Sequence, residues 1–433
     1  MVEKSSLSKR DFGEKATWRI GKAKKKYVKR KSISKKSSSI KKRSSKINKK
    51  SSSGGGVGKP YEPQKISLKK NGYELIITEK PQAALKISSA LGTSTKRNLH
   101  TVPYYEVDRQ GEKIIVACAV GHLFTLKQES NNSIPVFNIK WVPNFLVKKS
   151  DFTKKYYDTL LSLVKNAGTI TIATDYDVEG EVIGLNIVRF ICNQQDANRM
   201  KFSTLTDKEI EEAYKNKSPN FNWGQAIAGE TRHYLDWFYG INLSRALMEA
   251  IKKTGRFKLM SIGRVQGPSL RLLVDKERQI QAFVSKPYWQ IFITIKNSSN
   301  EIELKYNKDI FDKRELSKFE NLLGKIAEAV TKKKQQILEP NPPFNLTELQ
   351  MESYRLFGIS PSRTLQVAQS LYLGGLISYP RTSSQKLPDS INYKIILNQL
   401  AKRYHAEHLI SRDKPIEGKK SDPAHPSIYP TGD

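Results

Sequence analysis

The stretch GTITIATDYDVEGEVIGLNIVRF, residues 168–190, decides the fold of this chain. Its residues 169–174 are an apolar, β-rich run, which predicts a strand. Apolar residues from Val178 to Val188 recur at helical spacing, so a helix is expected to follow the strand. This strand–turn–helix order is typical of an α/β domain.

The turn between that strand and that helix carries three carboxylates, those of Asp175, Asp177 and Glu179. Because side chains two residues apart point the same way in an extended turn, we expect the three to converge. Crowded carboxylates repel one another unless a cation lies between them. Hard oxygen ligands suit Mg²⁺, so the sequence predicts a magnesium site. A solvated acidic turn would show the same D-x-D spacing.

A second strand–turn–helix pattern stands earlier in the chain, in GYELIITEKPQAALKISSALG, residues 72–92. Tyr73–Thr78 predicts a strand, and Pro81 predicts the start of a helix. Glu79 and Lys80 therefore stand at the carboxyl end of a strand. Ligands gather at this position in open α/β sheets.

Together, the two acidic elements resemble the Toprim domain shared by topoisomerases, primases and some nucleases. The resemblance implies Mg²⁺ as the cofactor, with Asp175, Asp177 and Glu179 as its ligands. A Toprim domain supplies a metal and a glutamate, so a nucleophile must come from elsewhere in the chain.

A candidate nucleophile lies in GLISYPRTSS, residues 375–384. We predict a strand over 376–378 that delivers Tyr379. Because Pro380 follows, the backbone there should be extended, with the phenol pointing outward. An ordinary phenol has a pKa of about 10 and is a poor nucleophile. Arg381 is expected to favour the phenolate and to clamp a phosphate. By itself, Y-P-R would more often be a surface turn.

The surroundings of Tyr379 resemble the active-site signature of type IA DNA topoisomerases. PPFNLTELQ (residues 342–350) precedes the tyrosine, and AHPSIYPT (residues 424–431) follows it. The form TEKPQAA around Glu79 is more similar to archaeal topoisomerase I and topoisomerase III than to the bacterial enzyme.

This resemblance implies a reaction. Tyr379 attacks a phosphate of single-stranded DNA and forms a 5′-phosphotyrosine, while Glu79 protonates the leaving 3′-hydroxyl. The phenol must then face the acidic cluster across a gap wide enough for one phosphate. The developing charge is neutralised by three further residues: Lys80, Arg381 and His425.

Two further stretches, residues 228–247 and 259–280, resemble the helical gate-flanking domain of the same family, and GHLF at 121–124 resembles an element of its Toprim domain. Cationic groups beside aromatic rings suit single-stranded DNA, although Trp237 and Phe238 serve equally well as helix core. The resemblance implies a DNA channel with these lining residues: Arg232, Asp236, Ser244, Arg245, Ser261, Gly263, Arg264 and Gln266.

The formal net charge of +33 points to a polyanionic partner, DNA first and an anionic membrane second. Residues 1–60 hold 21 Lys and Arg against 3 Asp and Glu, with almost no apolar periodicity. Such a segment is expected to be disordered. As an arm it would bind DNA through counterion release; a solubilising tail or a targeting signal is the alternative.

No apolar run is long enough to span a membrane, and no secretory signal stands at the N-terminus. The two cysteines, Cys118 and Cys192, are too few for a four-cysteine zinc finger or a disulfide framework. We therefore expect a cytoplasmic, nucleoid-associated protein.

The predicted fold is multidomain: an α/β Toprim domain, then mainly helical domains and a small β-containing arch segment. The predicted boundaries are a disordered basic tail over 1–70, the Toprim domain over 71–212, the first part of the helical gate-flanking domain over 213–285, the first part of a β-rich arch over 286–340, and an incomplete helical domain with the catalytic tyrosine over 341–433.

The predicted function is ATP-independent relaxation of negatively supercoiled DNA by cleavage, strand passage and religation. The resemblance stops inside the tyrosine domain, so we expect a truncated chain or a split enzyme. A second polypeptide would supply the rest of the core, and this chain alone would not relax supercoils. The alternatives are a Toprim-type nuclease or primase, and a non-catalytic basic DNA-binding protein.

Overall fold

The computed structural model describes residues 17–22, 61–129, 134–148, 151–297, 300–322, 326, 330, 332–410, 412 and 415–432. The chain divides into two compact units. A smaller unit comprises residues 1–57 and 271–339, and a larger unit comprises residues 58–270 and 340–433. Within the described residues, every helix is too short or too polar to traverse a lipid bilayer.

The strands form three sheets, and the two acidic elements follow strands of the largest one. In chain order the strands are β1 (Thr17–Lys22), β2 (Tyr73–Thr78), β3 (Thr93–Leu99), β4 (Val102–Arg109), β5 (Glu112–Cys118), β6 (Phe124–Gln128), β7 (Ile139–Pro143), β8 (Ala167–Ala173), β9 (Asn198–Arg199), β10 (Trp289–Asn297) and β11 (Asn300–Lys305).

Helices follow β2, β7, β8 and β9, and they flank the segment that carries the tyrosine. The α-helices are α1 (Pro81–Leu91), α2 (Thr153–Val164), α3 (Val178–Phe190), α4 (Asp207–Lys215), α5 (Trp223–Phe238), α6 (Ser244–Lys253), α7 (Gln266–Ala282), α8 (Ser317–Glu320), α9 (Leu346–Phe357), α10 (Pro361–Leu373) and α11 (Tyr393–Tyr404). A π-helix, Tyr239–Leu243, joins α5 to α6. Short 3₁₀ helices lie at Asn144–Leu146, Lys313–Leu316, Asp389–Ile391 and Glu407–Leu409.

The larger unit is built on a six-stranded mixed sheet of order β3-β4-β5-β2-β8-β9. β2 lies inside it and pairs in parallel with both β5 and β8. The strand predicted at Tyr73–Thr78 is confirmed with its bounds, and the strand predicted over 169–174 is confirmed as β8. Because Glu79 and Asp175 follow neighbouring parallel strands, the topology brings both to one edge of the sheet.

Helices cover both faces of this sheet, as expected for buried parallel strands. Leu75 and Ile77 of β2 point into a core that also receives residues of α2, α3 and α5. Ile76, between them, points to the opposite face and packs with residues of α1 and α4. Two tyrosines from the C-terminal segment, Tyr372 and Tyr379, belong to this second core. The predicted fold class, an α/β domain followed by a mainly helical region, is confirmed.

The smaller unit contains a three-stranded antiparallel sheet of order β1-β10-β11. β10 and β11 fall within the segment predicted to be a β-rich arch. In β1, Thr17 pairs with Thr294 and Lys22 with Trp289. The five predicted domain boundaries remain predictions.

The structure differs from the predicted disordered tail over 1–70 in two stretches. Residues 17–22 form β1, whose backbone finds partners on β10. Residues 61–70 belong to the larger unit, where Ile66 is buried and the Tyr61 hydroxyl donates to the Phe190 carbonyl. Local composition does not reveal such pairing with distant segments. The other residues of that tail up to residue 60 lie outside the described part of the chain.

The segment before the tyrosine forms α10 but not the predicted strand. Ser360 caps α10 by accepting from the Arg363 amide. The prediction of a strand over 376–378 is wrong. An isolated β-bridge between Ile377 and Pro430 forms there instead. Ser378 continues this contact by donating its amide hydrogen to the Tyr429 carbonyl over 2.9 Å.

Candidate active site

The acidic turn is shaped by a helix cap and a close backbone approach. The Asp177 carboxylate accepts from the Gly180 amide over 2.8 Å, which caps α3. A Cβ atom at Gly180 would lie 2.0 Å from the Asp175 carbonyl oxygen, so a larger residue does not fit. This cap fixes where the extended turn ends, and Asp177 is its last residue.

Tyr379 reaches this turn from the C-terminal segment. Its hydroxyl donates to Asp177 Oδ2 over 2.5 Å, and its side chain is buried with 1% exposure. The Tyr379 amide donates to the Ser203 carbonyl over 2.8 Å. The prediction that the phenol faces the acidic cluster is confirmed. The expected gap is closed, since a 2.5 Å contact leaves no room for a phosphate.

The expectation that the phenol points outward is wrong. Pro380 biases only the local backbone, whereas packing decides which side the ring takes. The ring centroid of Tyr379 lies 5.2 Å from that of Tyr372 and 4.5 Å from that of His425. Burying an aromatic ring among such neighbours is favourable and outweighs the local bias.

Burial, followed by the charges of Asp175 and Asp177, raises the pKa of Tyr379 far above its ordinary value of 10.0. Arg381 acts in the opposite direction, and its side chain is exposed. In this arrangement the phenol is therefore protonated and serves as a hydrogen-bond donor. The predicted stabilisation of the phenolate by Arg381 has the expected sign but is the smaller effect.

Lys80 lies between two carboxylates. Its ammonium donates to Asp175 Oδ2 and lies 3.1 Å from Glu79 Oε1. Burial would lower the pKa of Lys80, but Asp175 and Glu79 more than offset it, so the pKa is raised. Burial, with the charge of Asp175, raises the pKa of Glu79, and Lys80 opposes this only in part. A glutamate of this kind holds its proton to higher pH than an exposed one.

The carboxylate of Glu179 binds two histidines and does not join those of Asp175 and Asp177. Its Oε2 lies 3.1 Å from His122 Nε2 and 3.0 Å from His233 Nε2. These two hydrogen bonds hold the pKa of Glu179 far below its usual range. The expected convergence of three carboxylates is wrong in this respect. Glu179 stands in the first turn of α3, where the side-chain period is 3.6 residues rather than two.

His425 stands against the tyrosine, where the sequence placed it. Its Nδ1 lies 2.9 Å from Ser203 Oγ, and its Nε2 lies 3.0 Å from the Tyr176 carbonyl oxygen. Because a carbonyl only accepts, Nε2 carries the hydrogen and Nδ1 accepts from the serine. Burial lowers the pKa of His425 to about 4, so the ring is neutral at neutral pH.

Sequence reasoning missed several groups that shape this site. Arg199 is buried with 1% exposure and binds both Glu181 and the Asp175 carbonyl. The Tyr372 hydroxyl donates to Asp175 Oδ1 over 3.4 Å. A buried arginine leaves no periodic signal. Tyr372 had an apolar helix face as its only signal, which predicts core packing rather than a polar contact.

Of the eight predicted DNA-channel residues, three interact with one another and five have other surroundings. Arg232 and Arg264 lie 3.7 Å and 2.8 Å from the carboxylate of Asp236, so these three form one surface charge network. Ser244 is buried and exchanges hydrogen bonds with the backbone of Ile262. The others are Arg245, which donates to Gln128; Ser261 and Gln266, which are exposed; and Gly263, whose carbonyl accepts from Gly267.

The acidic edge of the sheet and the buried tyrosine define a Toprim fold joined to a tyrosine-bearing helical region. Family models agree with this division. A model described as the Toprim domain matches residues 74–205, and one described as DNA topoisomerase matches residues 220–433.

Several curated relatives are DNA topoisomerases. The DNA topoisomerase 1 of Methanocaldococcus jannaschii is 47% identical over 82% of this chain and 48% of its own length. That of Pyrococcus horikoshii is 45% identical over 83% of this chain and 55% of its own length. The solved structure of full-length topoisomerase I from Thermotoga maritima superposes with a TM-score of 0.57 at 27% identity, covering 82% of this chain and 55% of that one.

The chain belongs to the type IA DNA topoisomerase family. It spans about half the length of the curated relatives it matches.

Proposed function

We propose that this chain cleaves and rejoins one DNA strand through Tyr379, as part of ATP-independent relaxation of negatively supercoiled DNA. The observation that carries the proposal is the hydroxyl of Tyr379 at 2.5 Å from Asp177. The same cluster contains Lys80 and Glu79. A tyrosine, a proton donor and a cation are the groups that a transesterification at phosphorus requires.

The two sides of the phosphate are served by different groups. Tyr379 loses its phenolic proton to solvent and supplies the attacking oxygen, while the bond from phosphorus to the 3′-oxygen breaks. The products are a 5′-phosphotyrosine and a free 3′-hydroxyl. Glu79, whose raised pKa keeps a proton available, protonates the leaving oxygen and takes the proton back on rejoining. Because one oxygen ester replaces another, no external energy source is needed for the chemical step.

The closed contact between Tyr379 and Asp177 represents a resting arrangement in this proposal. A phosphate enters only when the phenol moves away from the carboxylate. Tyr379 then leaves the burial that raises its pKa, while Arg381, already exposed, meets the same phosphate. Lys80 remains beside the reacting atoms and offsets negative charge. His425 is neutral and already hydrogen-bonded, so its proposed role is to position the Tyr379 ring by packing against it.

The donor set at the acidic edge fits Mg²⁺, since Asp175 and Asp177 offer carboxylate oxygens from one turn, and both act on the pKa of Tyr379. We propose that these two hold the ion, and that Glu179 joins them after releasing His122 and His233. A bound Mg²⁺ would supply positive charge that offsets the charge of the DNA phosphate. Asp175 and Asp177 would hold that charge near Tyr379, where rejoining takes place.

DNA is the proposed partner, and association with the nucleoid follows from it. The charge network of Arg232, Asp236 and Arg264 would meet the strand on the surface of the larger unit. The other proposed channel residues are Ser244, Arg245, Ser261, Gly263 and Gln266. A second polypeptide that completes the core stays a prediction. Relaxation of supercoiled DNA by the purified chain alone would contradict it.

A trapping experiment tests the proposed chemistry. A single-stranded oligonucleotide labelled at its 3′ end is incubated with the protein, which is then denatured. We expect a labelled covalent adduct, absent in Tyr379→Phe and kept in Tyr404→Phe, a matched change at an exposed tyrosine. Strand cleavage without an adduct, and unchanged in Tyr379→Phe, would instead favour a Toprim nuclease.

A further inference from the structure

Three ligand-type side chains from separate elements meet on the larger unit, outside the contact between Tyr379 and Asp177. His122 comes from the loop after β5, Glu179 from the first turn of α3, and His233 from α5. One ligand atom of each lies within 4.8 Å of the other two. We propose that this triad is a transition-metal site, selective for ions such as Zn²⁺ or Co²⁺ over Mg²⁺.

The spacing of the donor atoms fits such an ion. Glu179 Oε2 lies 3.1 Å from His122 Nε2 and 3.0 Å from His233 Nε2. Tetrahedral Zn²⁺ with bonds of about 2.0–2.2 Å separates its ligand atoms by about 3.4 Å. Both nitrogens would therefore move a few tenths of an ångström away from Glu179 Oε2. The two nitrogens, which lie within 4.8 Å of each other, would settle at the same separation of about 3.4 Å. The two imidazole rings, 4.9 Å apart at 63°, are not stacked and can direct both nitrogens at one point.

The donor types decide which ion is favoured. Two imidazole nitrogens and one carboxylate form a borderline-soft set that suits Zn²⁺, Co²⁺ and similar ions. Mg²⁺ prefers oxygen ligands and keeps its waters, so it gains little from His122 and His233. Three protein ligands would leave one position for water.

Neighbouring groups orient the triad and leave it accessible. Arg232 lies 3.4 Å from Glu179 Oε1, which turns Oε2 toward the histidines. Asn144 donates to the His122 carbonyl over 2.7 Å and fixes that loop. The Trp141 ring packs against His233 at 5.5 Å. The side chains of the triad are 26–31% exposed, so an ion can enter from solvent.

One feature limits the expected affinity. His122 Nδ1 is buried and has no hydrogen-bond partner among the described residues. Metal-binding histidines usually donate their second nitrogen to a neighbour, and loss of that partner costs about 10- to 100-fold in affinity. We therefore expect binding weaker than at a structural zinc site, and reversible by a mild chelator.

A bound ion would also affect the proposed cleavage chemistry, and this consequence rests on the proposed function. An ion at the triad would keep Glu179 on His122 and His233. It would thus withhold this carboxylate from Asp175 and Asp177. Zn²⁺ or Co²⁺ is then expected to inhibit rejoining in the presence of excess Mg²⁺.

The test of the site needs no DNA. The full chain is titrated with Co²⁺ in a large excess of Mg²⁺, and binding is followed by the visible absorption of the ion and displaced by Zn²⁺. We expect one equivalent to bind. His122→Asn and His233→Asn should each weaken binding at least about 10-fold. His100→Asn serves as the matched control at an exposed position with φ of 49°, which asparagine tolerates.

Asp175→Asn separates this site from the proposed magnesium site and should leave Co²⁺ binding unchanged. If the histidine variants fold poorly by circular dichroism, NMR of the unaltered protein decides. Zn²⁺ should then shift the ring signals of two of the 6 histidines. Equal Co²⁺ affinity in wild type and both variants, or loss of binding in Asp175→Asn, would overturn the proposal. Neither outcome bears on whether Tyr379 cleaves DNA.

Discussion

The guanidinium of Arg199 donates to the backbone carbonyl of Asp175 over 2.8 Å, directly behind the acidic turn. It also binds the Thr174 carbonyl over 2.8 Å and Glu181 Oε1 over 2.7 Å. Both charged side chains are almost completely buried. The end of β8, from which the acidic turn starts, is thus held by a buried ion pair on the next helix and strand.

We predict that Arg199→Met lowers the free energy of unfolding by about 3–5 kcal/mol, because it leaves the Glu181 carboxylate buried without its cation. Urea denaturation measures this loss. The double variant Arg199→Met with Glu181→Leu should recover most of it, since both buried charges are then absent. A single variant as stable as wild type would show that the pair does not hold the turn.

The stability of the protein should fall on acidification through His425. Its pKa is about 4 in the folded protein against 6.5 ordinarily, so the unfolded chain takes up a proton first as the pH falls. The destabilisation by His425 is absent above pH 6.5 and grows as the pH falls toward 4. Between neutral pH and pH 5 it should reach about 2 kcal/mol. His425→Gln should lose this part of the pH dependence in urea titrations at several pH values, and an unchanged dependence would refute the assignment.

Ser203 connects the histidine to the tyrosine, since its hydroxyl donates to His425 and its carbonyl accepts from the Tyr379 amide. Ser203→Ala removes a donor that favours the neutral ring, so the pKa of His425 should rise. The unpaired Nδ1 should cost about 1–3 kcal/mol of stability. An NMR titration of the histidine rings measures the first effect. Ser370→Ala, at an exposed serine, is the control and should not move it.

Lys80→Met should alter the proton chemistry of Glu79. The ammonium lowers the pKa of Glu79, so its loss should raise that pKa further. In the proposed reaction the loss of one charge-assisted contact should slow cleavage about 100- to 1,000-fold. The pH–rate profile of adduct formation should move its alkaline limb to higher pH. Lys113→Met, at an exposed lysine, should behave as wild type. A slower reaction with an unshifted limb would indicate that Glu79 is not the acid.

The sequence predicted correctly those features that depend on the order of neighbouring residues along the chain. Strand–turn–helix patterns placed Glu79 and Asp175 at the ends of two strands, and those strands are neighbours in the sheet. Recognition of the signature around Tyr379 brought this residue and His425 to the same site, and the structure confirms their proximity. These results follow because parallel strands expose their carboxyl ends at one edge.

The sequence by itself determined the fold class, the acidic edge and the tyrosine segment that meets this edge, because these depend on short-range periodicity and on contiguous motifs. Only the tertiary structure decided that the phenol is buried against Asp177, that Glu179 turns to His122 and His233, and that Arg199 supports the turn. Each of these depends on contacts between segments far apart in the chain. Such contacts set the direction of a side chain through packing and burial, which no local spacing records.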